Sequence, residues 1–242
     1  MKVTLIDHMG SDLTVVNAAR VSFDKESDWV YNCSECGDVR HPLDYEFGCV
    51  ASNDDGCMAN KSMSSGDQKL IKYLATHGHW TPFAHPQVQL HIKAPIFVAR
   101  QLGKHQVGMV WNEVSRRYVD SEPEFYWPDK WRGRAANKKQ GSSGEVPVHP
   151  GFTQYIKDTL DDSLQSYVRL IEEGVAPEQA RMILPQNTYT EWYWTGSLAA
   201  WARVYGLRIK EDTQEETRKI AKQIGEIVGP LFPVSWEALT NG

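Results

Sequence analysis

The chain has 242 residues, 41% of them hydrophobic, and a formal net charge of -5. That is enough for a full globular core, and the acidity argues against a general nucleic-acid-binding surface, because gripping a phosphate backbone calls for a basic face. No run approaches the ~18 apolar residues of a membrane span, and Met1 to Asp7 reads as a strand rather than a signal peptide, so a cytoplasmic protein with neither nucleic acid nor membrane as partner is expected.

In chain order, the alternation and β-branching of Lys2 to Asp7 predict a first strand, and Leu13 to Val21 has helical apolar spacing behind Ser11 or Asp12 as cap. Asp24 to Gly66 then breaks the pattern with three cations against nine acids, a balance of -6 that leaves the rest of the chain at +1. All four cysteines, Cys33, Cys36, Cys49 and Cys57, lie in it. A Cys-x2-Cys pair is the usual seed of a four-thiolate zinc site, while seven residues separate the second pair. Structural zinc and free thiols are both open readings, and disulfides do not suit a cytosolic chain. The expectation is one domain over residues 1–242 with this cysteine-containing insertion at about 24–66.

Ser64, Ser65 or Asp67 can cap a second helix running to His77, and Gln87 to Lys93 has the period-two pattern of a half-buried strand. Pro95 opens a helix where its missing N–H does no harm. On that helix Arg100 and Lys104, and likewise Gln101 and His105, lie four apart and share a face. Residues 96–118 carry four cations against the single acid Glu113. A small anion such as a phosphate asks for this balance, because the planar fork of arginine matches its oxygens. Asn137 to Gly144 reads as a mobile surface loop. Phe152 to Glu173 forms a long amphipathic helix ended by Gly174, Pro177 starts another that Pro185 stops, and Gln186 to Thr195 favours a strand. Ser197 to Tyr205 and Thr213 to Val228 are the last helices. Strands and helices mix without a βαβ repeat, hence α+β, a mixed sheet with long helices. No Gly-x-Gly-x-x-Gly run occurs, so a dinucleotide would have to be held by other means.

The frame Arg100-Gln101, then Asn112-Glu113-Val114-Ser115-Arg116-Arg117-Tyr118, resembles the signature of the flavin-dependent thymidylate synthases. Three further blocks resemble the same family in order and spacing: Val15 to Phe23, His77-Gly78-His79-Trp80-Thr81-Pro82-Phe83-Ala84-His85, and Ala180 to Pro185 followed by Trp194 and Leu207-Arg208. The centre departs from the family: Lys104-His105-Gln106 replaces Arg-His-Arg, and eight residues rather than seven separate it from Ser115. The resemblance implies the thymidylate synthase-complementing protein fold, a homotetramer with active sites built from several subunits, and methylation of dUMP to dTMP. Methylenetetrahydrofolate would be the carbon donor and NADPH-reduced FAD the hydride source.

By the same resemblance Gln101, Arg117 and Arg181 hold the phosphate and ribose of dUMP, Arg208 polarises the uracil, and Glu113, Ser115 and Arg116 complete the pocket. His79, Thr81, Lys104, His105, Gln106, Ser197 and Arg203 would face FAD. Catalytic roles fall to Arg208, Ser115 and His79, with Ser115 a positioning hydroxyl rather than a nucleophile. Taken singly, such arginines are more often surface ion-pair partners and such a histidine a structural one; only the joint pattern favours a site. Two alternatives accompany this reading, a flavin-dependent dUMP hydroxymethylase and a zinc-containing nucleic-acid-binding or regulatory protein that reuses the fold.

Overall fold

The computed structural model describes residues 1–33, 39–40, 59–119, 121–136 and 141–241, with backbone alone at 32–33, 39–40 and 59–60. Its elements run β1 (Lys2–Met9), α1 (Asp12–Arg20), β2 (Val30–Cys33), β3 (Val39–Arg40), β4 (Ala59–Ser62), α2 (Ser65–Thr76), β5 (Gln87–Pro95) and α3 (Ile96–Leu102). There follow β6 (Met109–Glu113), β7 (Arg132–Arg134), β8 (Ser142–Glu145), α4 (Pro150–Glu172), α5 (Pro177–Ala180), β9 (Tyr189–Ser197), α6 (Leu198–Arg208), α7 (Glu215–Leu231) and α8 (Pro233–Thr240). The class is α+β, as the irregular alternation predicted. Two compact units emerge, one of residues 1–7, 88–196 and 203–227 and the other of residues 8–87, 197–202 and 228–242.

The first unit is built on a four-stranded sheet in the order β1-β5-β9-β6. In β5 the period-two pattern sends Val88, Leu90, Ile92 and Ala94 fully inward. In β9 it buries Thr190, Trp192 and Trp194 in the same way. Strand β6 pairs antiparallel with β9, setting Trp111 opposite Trp194 and Glu113 opposite Trp192. Opposite Met109 stands Gly196, where a Cβ would run into the Met109 sulfur, so glycine is what lets this edge strand lie close. Helix α7 supplies Ile220, Ala221 and Ile224 to this core. A separate cavity of about 400 Å³ is walled by Tyr126, Trp127 and Trp131 and also lined by an ion pair, half-buried Arg132 to buried Glu216 at 2.6 Å.

In the second unit, α1 packs on α2 and α8. Asp12 is buried and accepts hydrogen bonds from the amides of Val234 (3.0 Å) and Ser235 (2.9 Å), so a side chain from α1 caps the otherwise unpaired first turn of α8. Asp67 is buried too: it takes Arg20 at 2.6 Å and the hydroxyls of Ser27 (2.9 Å) and Ser64 (2.7 Å). Burial raises its pKa, but these bonds outweigh that and hold the carboxyl below its ordinary value. Strands β3-β2-β4 form a small antiparallel sheet at the base of the acidic insertion.

Several sequence expectations need correction. The helix at Pro95 is only seven residues long; Pro95 is its N-cap, and the first amides of α3 are satisfied by the carbonyls of Thr188 (2.9 Å) and Gln186 (3.2 Å). It ends at Leu102, with Gly103 as C-cap, so Lys104 and His105 lie in the following turn and share no helical face with Arg100 and Gln101. Asn112 and Glu113 belong to a strand that periodicity did not reveal, because β6 is a short edge strand with neighbours on one side only. Of the loop expected at Asn137 to Gly144, residues 142–144 lie in β8, paired to β7. Helix α8 was not anticipated; its first turn is capped by Asp12, a residue more than 200 positions away.

Candidate active site

The turn after α3 is where the motif residues gather. Gly103 donates to Ala99 O at 2.8 Å and His105 to Leu102 O at 2.9 Å, while Gly108, at φ +75°, reverses the chain into β6. Arg100, Lys104, His105, Gln106 and Glu113 thereby line one cavity of about 570 Å³, with Trp111 and Trp194 among its walls. Trp111 stacks on Trp192 (4.3 Å between centroids, 17°) and meets Trp194 edge-on at 5.3 Å, so the apolar wall is rigid. Cations, an amide and aromatic planes together suit a ligand with both a phosphate and a flat ring system, which is the donor set a flavin dinucleotide requires.

Arg208, in the last turn of α6, reaches this segment through one of the lining residues: its Nε donates to His105 Nε2 at 2.8 Å. Burial lowers the pKa of this guanidinium. Burial first, then the charges of Arg208 and Arg203, push His105 down to about 4, so the imidazole is neutral at physiological pH. Arg203 is itself exposed and tied to the carbonyl of Val107. Arg208 therefore bonds to the motif segment of its own chain.

Glu113 faces two ways. It receives the Thr190 hydroxyl at 2.7 Å on one oxygen and Trp111 Nε1 at 3.2 Å on the other, and it also lines a second cavity of about 590 Å³ together with Asn112 and Arg116. Gln101 is oriented by Thr217, whose hydroxyl donates to Gln101 Oε1 at 2.5 Å. Ser115 accepts from Arg117, at 3.3 Å from its amide and 3.4 Å from its Nε, and Arg117 lies 5.1 Å over the Tyr118 ring. Arg116 donates to Ser121 O at 2.5 Å, and Arg181 to Glu178 O at 3.3 Å. Among the described residues, the bonds of Ser115, Arg116, Arg117 and Arg181 stay within their own segments, so they are not drawn into the His105–Arg208 cluster.

The remaining expected cofactor residues belong to the second unit. His79 and Thr81 are exposed, and the His79 ring lies 6.1 Å from that of Tyr73. Ser197 is buried, and its hydroxyl accepts the Ala200 amide at 3.3 Å, so it is committed to the start of α6. Of the proposed thiolates, Cys33 ends β2, and Cys36, Cys49 and Cys57 lie outside the described residues.

Sequence reasoning missed Thr217 and Thr190, which orient Gln101 and Glu113. A signal for the first existed: Thr217 stands on the apolar face of α7 with Ile220, Ala221, Ile224 and Val228, and is fully buried. A polar group on such a face needs a partner.

Residues 4–234 match the family described as thymidylate synthase complementing protein. A flavin-dependent thymidylate synthase from Thermus thermophilus is 34% identical over 236 residues, 98% of this chain and 74% of its own. One from Kosmotoga olearia is 32% identical over 241 residues, 99% of this chain and 90% of its own. Among solved structures, a UMP/dUMP methylase, PolB, from Streptomyces cacaoi bound with 5-Br dUMP aligns at a TM-score of 0.73 and 29% identity, covering 99% of this chain and 94% of that one.

Proposed function

The chain belongs to the thymidylate synthase complementing protein family, and from that membership we propose that it converts dUMP to dTMP by flavin-dependent reductive methylation. The carbon donor is methylenetetrahydrofolate, and bound FAD, once reduced by NADPH, supplies the hydride. The observation that carries the reading is the folding of the motif segment from Arg100 to Glu113 around one aromatic-walled cavity, with Arg208 bonded to His105 in its lining.

On this reading Lys104, Gln106 and Arg203 contribute to holding FAD, and Lys104 keeps the charge of the family's first arginine while losing its fork; His79 and Thr81 are assigned to FAD by the family resemblance alone. Ser197 serves FAD indirectly, by capping α6, which carries Arg203 and Arg208. Gln101, Ser115, Arg116, Arg117 and Arg181 hold the nucleotide, and Glu113, fixed by Thr190, stands at the pocket edge. Arg208 holds a full positive charge in a half-buried site, where it stabilises negative charge on a uracil carbonyl oxygen more strongly than in water. No cysteine of the chain follows a proline, the context of the nucleophilic cysteine in flavin-independent thymidylate synthases, so on this reading ring activation rests on that polarisation and not on an enzyme thiolate. We further infer a homotetramer in which Arg181 joins the motif segment of another subunit, and a cytoplasmic protein. The cysteines of the insertion, from Cys33 to Cys57, would hold one structural zinc; the Cys-x2-Cys spacing supports this.

The relatives are named for thymidylate synthesis and nucleotide methylation, so neither the hydroxymethylase nor the nucleic-acid-binding alternative is favoured. Mass spectrometry of the nucleotide formed without oxygen from dUMP, FAD, NADPH and methylenetetrahydrofolate tests the proposal, with UMP offered in parallel. A gain of one CH2 on dUMP is expected. Unchanged dUMP, with flavin and nucleotide both bound, refutes it, and a gain of a hydroxymethyl group restores the hydroxymethylase.

A further inference from the structure

Among the described residues, His105 and Arg208 make a contact that the shared chemistry of the motif does not itself explain. Two groups that usually carry protons and repel when both are charged, an imidazole and a guanidinium, sit 2.8 Å apart in a half-buried site. The contact is attractive only one way round: Arg208 Nε–H donates and His105 Nε2 accepts, so Nε2 carries no proton and the imidazole proton resides on Nδ1. Both partners are held by their backbones. His105 is pinned by its amide bond to Leu102 O and lies with its ring 6.5 Å from that of Trp194, and Arg208 projects from the last turn of α6.

A guanidinium has two bidentate edges, the side edge of Nε with one Nη and the terminal edge of Nη1 with Nη2. With Nε–H spent on His105, only the terminal edge remains for a ligand. A carboxylate in place of His105 would also orient the arginine, but it would form an ion pair and quench the charge that polarises a carbonyl. A neutral imidazole orients it and leaves the charge whole. We propose that His105 is the positioning residue of Arg208, accepting its Nε–H so that the terminal Nη edge, still fully charged, is the one presented to the nucleotide. This rests on dUMP as the substrate, but the geometry does not.

The charged groups around His105 keep it an acceptor. Arg208 and Arg203 face it from α6, Arg100 and Lys104 line the cavity on its own segment, and among the described residues lining the cavity Glu113, on β6, is the one acid that opposes them. Protonation at Nε2 would turn the acceptor into a donor and release Arg208. With the pKa near 4, that happens only in acid.

Two measurements test the assignment. Nitrogen-15 NMR of the imidazoles in the wild-type protein without substrate should find His105 as the Nδ1–H tautomer with an unprotonated Nε2 from pH 8 down to pH ~5. An Nε2–H tautomer, or titration near the ordinary histidine value of about 6.5, overturns it whatever the enzyme turns over. In turnover, His105→Phe should lower kcat for dUMP by about ten- to a hundredfold, the worth of a hydrogen bond to a charged group, with FAD content unchanged. His105→Gln, whose Oε1 reaches the place of Nε2, should recover most of that loss. If Phe leaves kcat within twofold, if Gln is as impaired as Phe, or if FAD is lost from both, His105 does not act through Arg208. A wild type with the expected tautomer but no methylation of dUMP would refute the proposed function and leave the orientation of Arg208 standing.

Discussion

Thr217→Val removes one hydroxyl from a fully buried site and keeps the shape of the side chain, so it isolates the bond at 2.5 Å to Gln101 Oε1. Two quantities should move. The lost hydrogen bond is worth about 1 kcal/mol of stability, at the low end of its range because half-buried Gln101 can turn its freed oxygen to water. The carboxamide also gains freedom, since its two flip states and further rotamers open; refixing them on binding costs about 0.5–1.5 kcal/mol. If Gln101 donates to the nucleotide, dUMP affinity should then fall by roughly two- to tenfold, each 1.4 kcal/mol being a factor of ten. Titration calorimetry of dUMP, with urea unfolding beside it, reads both. Gln101→Ala supplies the control: Thr217→Val added to it should cost no further affinity, because the two residues act as one unit. Unchanged dUMP affinity in Thr217→Val, where Gln101→Ala weakens binding, would refute the orientation argument. An equal loss in both backgrounds would mean that Thr217 acts through the core.

Three further outcomes are expected. Asp12→Ala strands one buried and one half-buried amide at the start of α8 and should cost about 2–3 kcal/mol in urea unfolding, with Asp12→Asn costing less; equal losses would mean that the carboxylate is not acting as the cap. For Glu216, burial raises the pKa, but Arg132, at 2.6 Å, and Gln214 outweigh it and hold the carboxyl below its ordinary value of 4.5. The stability it adds is fully present above pH 4.5 and is lost as pH falls through the depressed value, so Glu216→Gln should cost about 2–3 kcal/mol at pH 7 and progressively less in acid; a deficit that does not shrink would sink the ion-pair account. Elemental analysis should find about one zinc per chain, absent in Cys36→Ser, and a folded wild type free of metal would end that assignment.

What could be read from the sequence alone was whatever depends on neighbours along the chain. The alternation of Val88, Leu90 and Ile92 announced β5, Ser11 and Ser64 announced the starts of α1 and α2, and Gly174, at φ +84°, marked the end of α4. The motif residues were legible for the same reason, as a surplus of cations at short spacing. What the tertiary structure decided was which of them meet. A helix presumed to run on past Leu102 stops there because Gly103 and the return into β6 turn the chain, and this places His105 against Arg208, 103 residues away. Gln101 is set by Thr217, Glu113 by Thr190 and α8 by Asp12, partners separated by 116, 77 and more than 200 residues. A hydrogen bond depends on angstroms and direction, and sequence spacing supplies neither once the chain has turned back on itself.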